Sequence, residues 1–273
     1  MNMKMSIAVV LLALAGPALC GCGGDGKSDG TPPRKTDTKA ESVTFTTPDD
    51  AHVIISANFY KAAVEKAPAV ILIHQRGSNK EEWGPIIDKI VARGYNVLAF
   101  DVRGHGGSTK TEDGKTLNYE DFKSDAGADG PHWWQCKYDV AAAHKWLEGK
   151  GIDKFAIIGA SVGCSIGARF ASESNDVKGV IMLSPVLTID PSVVQALSAM
   201  ADLKEKAFMY YCKDDGRGSN EAAIAEFQKQ LKRVSPVVHM FDGNDHGMAM
   251  LGKKYGDVDV DENILKELDS TLK

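Results

Sequence analysis

The sequence predicts an α/β domain built on a mostly parallel sheet of about eight strands, with helices on both faces and no large cap. Three observations predict it. From residue 69 onward, apolar strand-like runs alternate with segments of helical periodicity. The runs 69–73, 97–100 and 155–158 are continuously apolar, as strands buried on both faces must be. The loops that follow these and the later runs carry the glycines, acids and histidines, and such loops line the edge where open parallel sheets bind ligands.

The elements follow in order. Val43–Thr46 and Val53–Phe59 are β-rich and flank the turn-prone Pro48-Asp49-Asp50, which gives an N-terminal hairpin. Ala69–Ile73 is the first buried strand. Trp83, Ile86, Ile87, Ile90 and Val91 recur at helical spacing, so 83–92 is a helix that Arg93-Gly94 ends. Val97–Phe100 is a strand, and 104–131 is a long polar, glycine-rich excursion that ends at Trp133-Trp134. Tyr138–Leu147 is helical, Phe155–Ile158 a strand and Val162–Ala171 a helix. Val177–Leu183 and Ala207–Tyr211 are strands, Glu221–Leu231 a helix, Val237–Phe241 the last strand and Asn263–Leu272 the closing helix.

The first 21 residues read as an export signal. Lys4 supplies the positive charge and Ile7–Leu14 an apolar core too short to span a bilayer, which takes about 20 residues. Leu19-Cys20-Gly21-Cys22 resembles a bacterial lipobox, whose cysteine is lipidated and becomes the mature N-terminus. Cys20 departs from it at a position that is usually small aliphatic or hydroxylic. The resemblance implies lipidation at Cys22 and an exported, envelope-anchored protein that meets the membrane only through its lipid. Residues 22–40 mix glycine, proline, lysine and aspartate with no large apolar side chain, so they read as a tether, and 41–273 as one domain.

A net charge of -5 with interspersed signs excludes the basic patch of a nucleic-acid binder. Cys136, Cys164 and Cys212 are widely spaced and form no metal pattern; a Cys136–Cys164 disulfide is conceivable if their helices are neighbours.

Gly159-Ala160-Ser161-Val162-Gly163 sits between a strand and a helix, the setting in which G-x-S-x-G becomes a sharp turn exposing a nucleophilic serine. The overlapping Gly163-Cys164-Ser165-Ile166-Gly167 repeats the pattern, but Ser165 falls one turn inside the helix, where close helix–sheet packing explains serine and glycines alike. Ser161 is the better nucleophile.

With His74-Gln75-Arg76-Gly77-Ser78, Asp101-Val102-Arg103-Gly104-His105-Gly106-Gly107-Ser108, Asp214-Asp215 and Asp245-His246-Gly247 in this order, residues 42–273 resemble an α/β-hydrolase of the dienelactone-hydrolase-like, small-esterase kind. The resemblance implies a serine hydrolase acting on a small acyl substrate through an acyl-enzyme, without metal or organic cofactor. The order serine, acid, histidine is that of the fold's triad. His246 is the base, since it follows the last strand in a glycine-containing turn, and Asp215 is the acid. The family places the acid in Gly-x-x-Asp after this strand; Cys212 stands at the glycine, leaving Asp214 as the alternative and Asp190 as an outside candidate. The oxyanion donors are the N–H of Val162 and one from Gln75 or Arg76, where many relatives carry His-Gly in place of His74-Gln75. Two other readings are an aminoacyl- or dipeptidyl-type peptidase of the same fold and a non-catalytic binding lipoprotein. Only residues 184–206 separate the strands 177–183 and 207–211, little room for a cap, which favours short acyl chains. Trp133-Trp134 is either a pocket wall or core packing.

Overall fold

In the computed structural model, the described residues are 37–124, 130–186, 206–230 and 235–273. Cys22, Asp190, the export-signal segment and most of 184–206 lie outside them. The chain opens with an antiparallel pair, β1 (Ala40–Thr46) and β2 (Val53–Tyr60). Strands β3 (Ala69–Ile73), β4 (Asn96–Phe100), β6 (Phe155–Ala160), β7 (Val177–Leu183), β8 (Ala207–Cys212) and β9 (Val237–Phe241) then build the parallel body, with β5 (Lys110–Thr111) as a short addition. The nine-stranded sheet runs β1-β2-β4-β3-β6-β7-β8-β9, with β5 against β2. The ninth strand arises in the polar excursion. Its residues 110–111 pair antiparallel with Val53–Ile54, a two-residue register that leaves no periodicity to read.

Strand alternation divides the core into two layers. Ala69, Ile71 and Ile73 of β3 face one cluster and Val70 and Leu72 the other, all fully buried. The first layer packs under α2 (Lys137–Gly149) and α3 (Val162–Glu173). The second packs under α1 (Gly84–Ala92) and α5 (Val260–Leu272). The helix α4 (Glu221–Gln230) lies between β8 and β9 in the chain. The exposed edge β1 alternates Glu41, Ser42, Thr44 and Thr46 with half-buried Val43 and Phe45, a composition that discourages edge-to-edge pairing.

The start of the last helix differs from the sequence expectation by three residues, for a capping reason. The last helix begins at Val260 because the Asp259 side chain accepts the Glu262 N–H at 3.1 Å. Ahead of β1, the amides of Asp37 and Thr38 both donate to the Asp88 carboxylate at 2.9 Å.

Candidate active site

The parallel strands bring the loops after β3, β4, β6, β7, β8 and β9 to one edge of the sheet. The turn after β6 is the sharpest. Ser161 has φ 51° and ψ -116°, a conformation that costs a side-chain-bearing residue about 1–3 kcal/mol. Its N–H donates to the Leu183 carbonyl at 2.9 Å, and its own carbonyl accepts from Cys164 at 3.0 Å. The flanking glycines make room. A Cβ on Gly159 would lie 2.4 Å from the Gly163 oxygen, and one on Gly163 would lie 2.2 Å from the Ile73 oxygen. Ser165, in contrast, donates to the Val186 carbonyl at 2.9 Å from inside α3, and a Cβ on Gly167 would meet Ile157 at 2.7 Å. The second pentapeptide is packing.

Val162 is the first residue of α3, so its N–H has no intrahelical partner and stands at the positive end of the helix. Asp215, 1% exposed, meets His246 Nδ1 with Oδ2 at 2.6 Å and accepts the Arg217 N–H on its other oxygen at 2.9 Å. Asp214 is exposed. An Nδ1–H donated to a carboxylate leaves Nε2 with its lone pair free, the tautomer a general base needs. The His246 turn abuts the elbow: a Cβ on Gly247 would lie 3.6 Å from Ala160 Cβ, one residue before Ser161.

The loop after β3 is held from behind by His74. Its Nδ1 donates to the Gln75 carbonyl at 2.7 Å and its Nε2 accepts the Val102 N–H at 2.9 Å, so the ring is neutral. Burial, with a smaller contribution from the nearby His105, pushes its pKa down to about 4. Between pH 6.5 and about 4 the unfolded chain therefore binds the proton that the folded chain refuses. The stability from neutral His74 is complete above pH 6.5 and disappears as the pH falls toward 4, about 3 kcal/mol in all. Denaturant titrations at pH 7.5 and 4.5 should show that loss in the native protein and a loss smaller by about that amount in His74→Gln.

Arg76 is exposed, its guanidinium 5.8 Å from the ring centres of both Tyr119 and Trp133. Trp133 is 3% exposed and packs edge-on against Phe122 at 5.2 Å, so core packing accounts for it. Trp134 is half-buried against His132. Cys136, Cys164 and Cys212 are buried free thiols, so Cys136 and Cys164 are not bridged. Burial raises the pKa of the Cys164 thiol, which donates to the Gly159 carbonyl.

Several residues of the site carry no sequence signal. Ser184, fully buried at φ 53° after β7, accepts the Gly247 N–H on its Oγ at 2.8 Å. Lys80 reads as a surface lysine, yet its Nζ and N–H grip the two oxygens of the fully buried Asp101 at 2.7 and 2.8 Å. Gly107 N–H completes that carboxylate's shell at 2.8 Å. The glycines after Asp101 thus wrap a bracing carboxylate. Arg103 likewise spans Asp139 and Asp49, at 2.6 and 2.8 Å. Among the described residues the one group with metal-ligand spacing is His144, Glu148 and Asp176. It lies at the end of α2 and before β7, away from the sheet edge that carries Ser161, with the imidazole 3.7 Å from each carboxylate. No helix among the described residues is long and apolar enough to cross a membrane.

Comparison with known proteins agrees with this architecture. The chain is similar in structure to an esterase of Pyrococcus furiosus, with a TM-score of 0.64 at 19% identity over 86% of this chain and 94% of that one. It is similar to an α/β serine hydrolase without a lid from Xanthomonas campestris, with a TM-score of 0.61 at 15% identity over 87% and 97%. It is also similar to an α/β-hydrolase from a Penicillium species, with a TM-score of 0.65 at 13% identity over 86% and 99%. Such identities carry the fold alone. No curated protein matches the chain by sequence. The family model described as the alpha/beta hydrolase fold matches residues 68–233, more than half of the sequence. The chain belongs to the alpha/beta hydrolase fold family.

Proposed function

We propose that this protein is a serine hydrolase that cleaves a small carboxylic ester, or a related acyl compound, through an acyl-enzyme. The observation that carries the reading is the strained Ser161 turn beside a His246–Asp215 pair closed at 2.6 Å. In this mechanism His246 Nε2 takes the Ser161 proton as Oγ attacks the acyl carbon, and Asp215 holds the imidazolium that forms. The developing oxyanion is met by the Val162 N–H and by an N–H of the loop after β3. His246 then returns the proton to the departing alcohol. Water activated by the same imidazole breaks the Ser161 ester. Arg76 is the better second donor. The Gln75 carbonyl is turned toward His74, so across the trans peptide the Arg76 N–H points the opposite way.

The short connection between β7 and β8 supports an uncapped site and short acyl chains. Acetate and butyrate esters should outrun decanoate and longer esters in kcat/KM, with no jump when the substrate forms an interface. A maximum at long chains would contradict the uncapped site.

The same reading makes the protein an exported, lipid-anchored one, cleaved before Cys22 and acylated there. Its support is the apolar segment 7–14 and the Leu19–Cys22 box. Cys22→Ser should move the protein from the membrane fraction to the soluble exported fraction. An unmodified mature terminus at another residue, read by mass spectrometry, would remove the anchor.

A further inference from the structure

The resemblance expects a glycine at position 75, and the structure gives the glutamine there a task. Its Nε2 donates to Glu82 Oε1 at 3.1 Å, and Glu82 is held on its other oxygen by the Ser78 hydroxyl. The opposite end of the amide reaches across to the loop that carries His246. Gln75 Oε1 lies 3.4 Å from the Met248 N–H and fills the space over Gly247, where a Cβ would come within 2.4 Å of it. Gly247 itself has φ 55° and donates its N–H to Ser184. The glutamine and the glycine are therefore a matched pair: the side chain of one occupies the volume that the other leaves empty.

We propose that the Gln75 side chain is a strut that couples the oxyanion loop to the His246 loop, so that acid–base group and oxyanion donors keep a fixed spacing. It is a positioning residue for the hydrolysis proposed above, and rests on that reading only for its catalytic consequence. A displacement of about 1 Å between a base and its reacting partner is enough to cost about a hundredfold in rate, while substrate binding, made elsewhere, changes little.

The test is a mutant cycle read in two ways on the purified protein. Gln75→Met keeps the side-chain length and removes both polar ends; kcat should fall about 10- to 100-fold with KM within about threefold. Glu82→Ala, which frees only the far end of the strut, should give a smaller loss of the same kind. Gly247→Ala should lose more than about a hundredfold beside Gln75 and no more than about tenfold beside Gln75→Gly, because the clash disappears with the side chain and only the backbone strain remains. Hydrogen exchange over residues 247–250 reads the same coupling without catalysis and should rise in Gln75→Met at an unchanged thermal midpoint. Exchange and kcat both within threefold of the native protein would overturn the strut, as would losses in the cycle that simply multiply. Faster exchange in a protein that hydrolyses no ester would leave the strut standing and remove the hydrolase reading instead.

Discussion

Replacing Ser161 with alanine is expected to remove ester hydrolysis, lowering kcat by about a million-fold toward what the oxyanion donors and binding alone supply. The size follows from unity of action: without the hydroxyl, His246 and Asp215 have no nucleophile to activate. Ser165→Ala is the internal control. It removes one buried hydrogen bond to the Val186 carbonyl, worth about 0.5–1.5 kcal/mol of stability, and should leave the rate within about tenfold. Steady-state kinetics on both variants, at matched thermal midpoints, separates the two serines of the overlapping motifs. Equal losses would mean that the elbow has been assigned to the wrong turn.

The second large effect is on the fold. Gly163→Ala would drive a Cβ to 2.2 Å from the Ile73 oxygen and 2.9 Å from that of His74, both backbone atoms at the carboxyl end of β3. Neither can retreat without opening the crossing of α3 over β3, so the expected cost is about 3–5 kcal/mol, a large part of a domain's stability. Gly149→Ala is the contrast. Gly149 is exposed at the end of α2 at an ordinary φ, with nothing within 4 Å of a Cβ. It should gain about 0.5–1 kcal/mol from helix propensity. Urea titration of the two variants gives shifts of opposite sign if the glycines have these roles.

The residues that sequence reasoning reached are those with a local signature. Ser161 stands out from Ser165 because one falls in a strand-to-helix turn and the other on a helix, a distinction that periodicity alone makes. Counting from Cys212 favours Asp215, and the structure buries Asp215 against His246 while Asp214 stays exposed. The central buried strands were legible because they are continuously apolar, whereas their order in the sheet is set by pairing between distant segments. What was not legible depends on distant contacts. Lys80 is twenty-one residues from the carboxylate that buries it, and Ser184 is sixty-three from the amide it accepts. Nothing in the immediate neighbourhood of either residue marks the pairing. Gln75 read as a possible backbone donor; its side chain turned out to matter because of Gly247, in a loop far down the chain. The paired tryptophans illustrate the opposite limit, since an aromatic at a helix start has the same signature whether it lines a pocket or fills the core.

In the hydrolase proposed above, Ser161 carries a hydroxyl made nucleophilic by its neighbours. The direct measurement is reaction of the purified protein with a fluorophosphonate, followed by intact mass and peptide mapping. One phosphonyl adduct per chain is expected, on the peptide that contains Ser161. An unmodified protein, or an adduct carried by Ser165 or any other residue, would contradict it.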